Sequence, residues 1–249
     1  MKIIRSELFQ KFPELVFGFS TKIGLNRTKP YDFNLSFTVG DDPENVKQNR
    51  DAFFSEIGLK TSQIAFQKQV REDEIRIVEK PGMAGESDAL ITNVKGLGLT
   101  ISTADCTAIF IYDKKNEIIA GVHSGWQGTQ KKILNKTLQK LSLSFNSQPE
   151  NLFCFIGPSI SQKNYEVGKD VSELFEEKYL ESSINPDKKL LDVRQVNIDM
   201  LLEFGILKEN IEISSLCSFA EKDLLHSYRR DGKLSGRALG VITMKENYV

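Results

Sequence analysis

Of 249 residues only three are cysteine, two are histidine, one is tryptophan and seven are proline. Each scarcity excludes something. Cys106, Cys154 and Cys217 are odd in number and widely spaced, which is no disulfide framework and points to a reducing compartment. With only His123 and His226 available, any imidazole chemistry rests on these two side chains. Charge of one sign is missing as well. The 33 Lys+Arg against 34 Asp+Glu leave a formal net charge of -1, which argues against a protein that works by covering phosphate backbones or anionic lipid. No apolar run approaches the roughly 20 residues needed to span a bilayer. Met1–Glu7 lacks the apolar stretch and cleavage site of a signal peptide. The expectation is a cytoplasmic protein with no nucleic-acid and no membrane partner, present as a monomer or homodimer.

What the chain does contain is ordinary globular material. The 40% of apolar residues suffices to bury a core at this length without disulfides or a metal. No repeat, low-complexity stretch or long polar linker divides it, so residues 1–249 read as one domain. Asp41-Asp42-Pro43 offers a cap and a proline at the first helical position, and Val46, Phe53, Phe54 and Ile57 then share one helical face. Residues 98–102, 107–112, 118–122, 152–156 and 238–244 are short apolar runs that predict strands, with Asp113–Glu117 as a turn. Helical patterns are expected over 128–141, near 171–179 and over 198–204. Clustered strands with helices between them predict an α+β fold, a layered α/β sandwich with mixed sheets.

Three places can carry chemistry. In Ala120-Gly121-Val122-His123-Ser124-Gly125-Trp126 an apolar strand runs into a glycine-flanked turn before a helix, which places an imidazole at a strand end beside free amides. A packed histidine next to the one tryptophan is the plainer alternative. Cys106 follows Ser102-Thr103-Ala104-Asp105; an acidic neighbour works against a thiolate, so a reactive Cys106 needs a compensating cation or metal. Its alternative is an inert buried cysteine, the reading that fits Cys154 within Phe153-Cys154-Phe155; Cys217 stays open. Finally, Arg229, Arg230 and Arg237 lie among glycines in Ser227–Gly232 and Ser235–Arg237, suited to gripping a phosphate or carboxylate through forked hydrogen bonds, or to forming an exposed charged turn.

Taken together, the segments resemble one family. Phe19-Ser20-Thr21-Lys22, Asn34-Leu35-Ser36, Gly40-Asp41-Asp42-Pro43, Glu86-Ser87-Asp88-Ala89, Thr103-Ala104-Asp105-Cys106, Val122-His123-Ser124-Gly125-Trp126, Ile156-Gly157-Pro158, Tyr165-Glu166-Val167-Gly168 and Ser227-Tyr228-Arg229-Arg230-Asp231-Gly232 follow in the order of the laccase-domain or YfiH-type family. Its members are called polyphenol oxidases, purine nucleoside phosphorylases or peptidoglycan-editing factors. The resemblance implies one zinc, sometimes copper, held by histidine, cysteine and histidine. The last two correspond to Cys106 and His123. Where the family has Q-V-H, this chain reads Gln69-Val70-Arg71, and a guanidinium does not bind a metal cation. A third ligand would have to come from Glu72, Asp73 or His226. The polyphenol-oxidase name fits this chain least, because two histidines cannot build a trinuclear copper cluster.

The activity the resemblance implies is phosphorolysis of the purine nucleosides adenosine or inosine, with adenosine deamination in some members. Cys106 and His123 would be its catalytic and metal-binding core, Arg229, Arg230 and Lys22 its anion contacts, and Gln69 and Asn34 its substrate-orienting groups. With Arg71 as a cation beside Cys106, the alternative is a metal-free Cys–His hydrolase acting on amide bonds, as in editing of cell-wall precursors. A degenerate member that only binds its ligand is the third reading. Cys106 and His123 are expected to lie side by side.

Overall fold

Strands with two apolar faces need cover on both sides. Thr107–Asp113, Ile118–Ser124 and Ala238–Met244 are buried at every position. The computed structural model, which describes residues 1–246, provides that cover with four layers. One mixed sheet runs, in spatial order, Ile3–Ile4, Leu15–Ser20, Ala238–Met244, Gly98–Thr103, Ile64–Lys68 and Gly82–Glu86. The other runs Ile211–Ile213, Leu152–Ile156, Thr107–Asp113, Ile118–Ser124, Ala89–Thr92 and Ile75–Ile77. Between them lies an aromatic core in which Phe17 meets Phe110 and Phe155 edge-on. Outside the first sheet, helix Pro43–Glu56 packs Phe53 and Phe54 against Leu239 and Val241. Outside the second, helices Ile133–Phe145 and Val193–Glu203 cover Ile109, Ile111, Ala120 and Val122. Alternate residues of one strand thus serve two cores, as strand geometry requires. The architecture is the expected layered α+β sandwich, and parallel pairs among antiparallel ones make both sheets mixed.

The helix after Asp42 forms as its sequence predicts, with the Asp42 carboxylate accepting from the Glu44 amide. Strands 152–156 and 238–244 keep their expected limits. The pattern over 128–141 resolves into two helices, Trp126–Gln130 and Ile133–Phe145. Lys132, left-handed at φ +60°, breaks them. The break lets Thr129 bond Ser124 and Asn197 while Ile133 restarts an apolar stripe. Only one helical turn, Lys169–Ser172, and a short 3-10 turn, Glu177–Tyr179, occupy the span near 171–179. That span leads into a small sheet of Glu166–Gly168, Lys188–Leu191 and Leu180–Ser182.

A crossing between the two large sheets brings them together at the candidate site. Gly98–Thr103 belongs to the first sheet and Thr107–Asp113 to the second. The three residues between them, Ala104-Asp105-Cys106, therefore step from one sheet to the other at the open end of the aromatic core. Among the described residues no helix is long and apolar enough to cross a membrane.

Candidate functional site

The hairpin register builds the centre. A turn in which Asp113 accepts the amides of Lys115 and Asn116 pairs Asp113 with Ile118 and Ala108 with His123. Two residues further along, Cys106 falls opposite Gly125, so closely that a Cβ on Gly125 would sit 2.8 Å from the Cys106 sulfur. Ala89 pairs with Val122 on the other side, which brings Asp88 beside His123, whose amide donates to the Asp88 carbonyl at 2.8 Å. Ala108, Phe110, Ile119 and Leu90 face the inter-sheet core. By alternation Cys106, His123 and Asp88 share that face at its open end.

There the side chains connect. His123 is 5% exposed; its Nδ1 lies 2.8 Å from Asp88 Oδ1, and the Cys106 sulfur is near enough to act on the charge of the ring. Burial alone would push the imidazole down, but the Cys106 sulfur and the Asp88 carboxylate raise it to about 9. Asp88 is fully buried. Against that burial, His123 and then the amides of Glu72 and Arg71 hold its carboxyl below the usual range. The Val70 and Glu72 amides donate to Asp88 Oδ2 at 3.1 and 2.8 Å. Cys106, His123 and Asp88 thus bring sulfur, imidazole and carboxylate together, with the carboxylate fixing the ring, the arrangement in which an imidazole serves a nucleophile or a leaving group.

The residue before the cysteine is under backbone strain. Asp105 adopts φ +93°, a conformation that costs a non-glycine residue about 1–3 kcal/mol. Both its oxygens are held, one by the Ser218 hydroxyl at 2.6 Å and one by the Arg229 amide at 2.7 Å. The Thr103 hydroxyl donates to the Cys106 carbonyl at 2.6 Å and closes the loop.

Of the expected anion contacts, the structure brings some to this opening and commits others elsewhere. The Arg229 guanidinium stands over the Tyr165 ring at 5.0 Å and donates to the Glu166 carbonyl. Arg230 turns inward: its donors go to the carbonyls of Ser218, Phe219 and Leu225 and to the Asp231 carboxylate. It is a structural clamp, which corrects its reading as an anion contact. Lys22 pairs with Asp32 at 3.2 Å. Asn34 is fully buried; it donates to the Ser36 carbonyl and Asp41, and accepts from the Ser36 and Arg237 amides. Gln69 bonds the Ser102 amide and carbonyl through both ends of its side chain, at 2.7 and 2.8 Å. Asn34 and Gln69 thus position the backbone of the site, a correction to their expected role in orienting a substrate directly.

Arg71 is exposed and left-handed at φ +63°. The one contributor that sequence reading undervalues is Arg237, which precedes strand Ala238–Met244. Its Nη1 donates to the Ser235 and Gly236 carbonyls and its guanidinium lies 5.3 Å from the Tyr228 ring. Burial pushes this guanidinium down, while Cys106 and Asp105 act the other way. Asp88 is visible in the sequence as part of Glu86-Ser87-Asp88-Ala89, one residue ahead of a wholly buried strand.

The donor set does not fit a catalytic zinc, which takes three protein ligands and a water. Cys106 and His123 are two. The candidates for a third are engaged away from them: Glu72 pairs with Lys131 and Asp73 with Lys136, while His226 is buried against the Phe33 carbonyl and driven by burial down to about 3. Asp88 faces His123 from the Nδ1 side. Among the described residues no group of three or more His, Cys, Asp or Glu is placed to hold a metal ion, so a zinc or copper centre on Cys106 and His123 would lack a third protein ligand. Cys154 is fully buried, and burial pushes its thiol up. Cys217, also buried, accepts from the Ser161 amide and hydroxyl and from Asn164.

Similarity to known proteins extends over this whole framework. A protein from Bacteroides thetaiotaomicron named purine nucleoside phosphorylase is 31% identical over 226 residues, 84% of each chain. The purine nucleoside phosphorylase YfiH of Escherichia coli is 30% identical, covering 90% of this chain and 91% of its own. The crystal structure of the Bacillus licheniformis hypothetical protein YfiH superposes with a TM-score of 0.92 at 26% identity, covering 98% of this chain and 96% of that one. The family model described as multi-copper polyphenol oxidoreductase laccase matches residues 16–245, which takes in the second sheet, all but the edge of the first, the crossing at Asp105-Cys106 and the arginine turn; the chain belongs to that laccase-domain, YfiH-type family.

Proposed function

We propose that the chain is an enzyme that cleaves the glycosidic bond of purine nucleosides, adenosine or inosine, with inorganic phosphate at the opening around Cys106 and His123. The observation that carries this reading is the buried His123–Asp88 pair beside Cys106, in a chain about 30% identical to relatives named purine nucleoside phosphorylase. Phosphate held by guanidinium groups attacks the ribose carbon that bears the base. The carbon–nitrogen bond breaks and its electron pair leaves on the purine. His123, which Asp88 fixes in orientation and which holds its proton up to about pH 9, supplies the proton the departing base needs. Incubation with inosine or adenosine, with and without phosphate, tests the reading. Free base and ribose 1-phosphate should appear only with phosphate; ammonia release from adenosine registers deamination separately. No base release at any phosphate concentration would sink it.

The same three residues favour a second reading. In the order sulfur, imidazole, carboxylate they also suit amide hydrolysis: the Cys106 sulfur attacks the acyl carbon, the amine leaves with a proton from His123, and water then cleaves the thioester. Amine release from acyl amides that is independent of phosphate and abolished by Cys106→Ala would select it.

A further inference from the structure

Asp105 is an aspartate in a backbone conformation that belongs to glycine. The other described non-glycine residues at positive φ lie between +49° and +63°, whereas Asp105 at +93° falls with Gly85 and Gly205, at +92° and +99°. A β-carbon makes this region costly, and a glycine would take the turn without that cost. The question is what the side chain supplies that a bare turn does not.

It supplies attachment. Asp105 lies in the crossing Ala104-Asp105-Cys106 and bonds three segments distant in sequence. Its carbonyl accepts the Ile160 amide at 2.9 Å. One carboxylate oxygen accepts the Ser218 hydroxyl at 2.6 Å, the other the Arg229 amide at 2.7 Å. These partners are themselves fixed. The Ser218 amide donates to the Ser159 carbonyl. Arg194, from helix Val193–Glu203, donates to Ser159 and to the carbonyls of Ser214 and Leu216. Arg230 holds the Ser218 and Phe219 carbonyls. Arg229 carries the frame on to the small sheet, where its guanidinium bonds the Glu166 carbonyl and stands over the Tyr165 ring.

The consequence falls on the next residue. The ladder between strands Thr107–Asp113 and Ile118–Ser124 begins only at Thr107, so Cys106 stands just outside it. Its carbonyl is closed by the Thr103 hydroxyl, and its sulfur lies against Gly125, two residues beyond His123. The backbone on its other side is Asp105. We infer that Asp105 is a positioning residue of the active site: by fastening the crossing to segments 159–160, 217–218 and 227–231, it fixes where the Cys106 sulfur stands beside His123. The inference rests on the reading of this opening as the active site, but its first test uses no turnover.

That test is the rate of Cys106 alkylation by iodoacetamide in the full chain at one fixed pH. Peptide mass spectrometry counts it apart from the buried Cys154 and Cys217. Cys106 is half-buried, so a crossing that opens more often exposes the sulfur and quickens alkylation. Asp105→Gly suits the turn but loses both side-chain bonds. Asp105→Asn loses the same charge yet can keep both, its oxygen accepting the Arg229 amide and its nitrogen donating to the Ser218 hydroxyl. Alkylation should be about 10-fold faster in Asp105→Gly than in Asp105→Asn, the factor for about one net hydrogen bond. Ser218→Ala removes one bond while leaving the Asp105 charge in place, and should alkylate about threefold faster than the unmodified protein; it decides the matter if Asp105→Gly does not fold. Equal rates in folded Asp105→Gly and Asp105→Asn would overturn the inference, as would a Ser218→Ala rate equal to that of the unmodified protein.

Steady-state kinetics supply the second test. In whichever reaction the unmodified protein performs, phosphorolysis or amide hydrolysis, Asp105→Gly should lose about 10- to 100-fold in kcat with KM within about threefold. That split marks displaced reacting groups rather than lost binding. Asp105→Asn should recover most of the loss, and an unchanged kcat in folded Asp105→Gly would overturn the inference. If the unmodified protein turns over neither substrate, the readings of its function fall, and the alkylation series still decides whether Asp105 places Cys106.

Discussion

The two histidines are buried alike, yet their surroundings drive them in opposite directions. His123, at a strand end of the second sheet, has a carboxylate on Nδ1 and the Cys106 sulfur at its other side, and is raised to about 9. His226, in the loop after the second sheet, hydrogen-bonds the Phe33 carbonyl at 3.4 Å and is lowered to about 3 by burial, with Lys22 and Arg237 adding to the fall and Asp231 opposing it. Burial penalises the charged form of both. The difference lies in whether an anion is built into the wall. The arginines divide the other way: Arg230 has carbonyls and a carboxylate around it, whereas Arg237 bonds only carbonyls, through Nη1. What marks the site in both cases is a buried or part-buried group that keeps its charge, His123 through Asp88 and Arg237 through its high intrinsic basicity.

The largest effect that can break this comparison is on catalysis. His123→Asn should lower kcat/KM for nucleoside phosphorolysis by about 10²- to 10⁴-fold, the range for losing a positioned proton donor. His226→Gln should change it less than about fivefold. Steady-state assays of the two variants decide it, and equal losses would remove the distinction between a working and a packed histidine.

Acid stability sharpens the contrast next. The folded pKa of His226 is depressed below its unfolded value of about 6.5, so the unfolded state binds the extra proton. Its contribution is complete above about pH 6.5 and is lost as pH falls towards the folded value of about 3. Unfolding free energy should therefore drop between pH 6.5 and 4, by on the order of a few kcal/mol, before most carboxylates titrate. The sign is opposite for His123, whose raised value favours the folded state at low pH. Urea titrations across this window should show a shallower decline in His226→Gln; an unchanged slope would mean that His226 is not held neutral.

Much of this architecture is legible in the sequence. The turn at Asp113–Glu117 fixes the hairpin register, and that register alone sets Cys106 near His123 and opposite Gly125, where no side chain fits. Strands buried on both faces announce the layered architecture, because alternation disappears when both sides are covered. What escapes sequence reading is the set of contacts made across the two sheets. Asp88 meets His123 from 35 positions away, and Arg237 reaches the Cys106 opening only because Ala238 pairs with Thr103. Neither follows from local pattern. Arg230 misleads because a guanidinium that satisfies carbonyls and one that awaits an anion read identically in sequence. The break at Lys132 escapes for a different reason: the apolar pattern runs on across it, and only the buried bonds of Thr129 to Ser124 and Asn197 reveal why the first helix stops.

The arginine comparison gives a smaller, measurable difference. Arg230→Ala leaves the carbonyls of Ser218, Phe219 and Leu225 without their donor and should destabilise the fold by about 2–3 kcal/mol. Arg229→Ala removes one exposed bond to the Glu166 carbonyl and should cost less than about 1 kcal/mol. Chemical denaturation measures both. A loss at Arg229 as large as that at Arg230 would return Arg229 to the scaffold.

The smallest effect concerns the acidic residues beside Arg71. Had Glu72 or Asp73 completed a metal centre, neutralising either would remove a ligand and with it both metal and activity. In the structure each faces a lysine on the neighbouring helical segment, Glu72 with Lys131 and Asp73 with Lys136, and these side chains are substantially exposed. Exposed pairs gain little, since water and salt screen them and ordering two long side chains offsets the attraction. Asp73 is held below the usual carboxylate range chiefly by its hydrogen bond from Lys136, an interaction with solvent on all sides. Asp73→Asn and Glu72→Gln should each leave Tm within about 2 °C, leave nucleoside cleavage within twofold, and leave metal content measured by mass spectrometry unchanged. A variant that loses bound zinc and activity together would put its carboxylate back among the ligands and reverse the assignment of this wall of the site to surface charge.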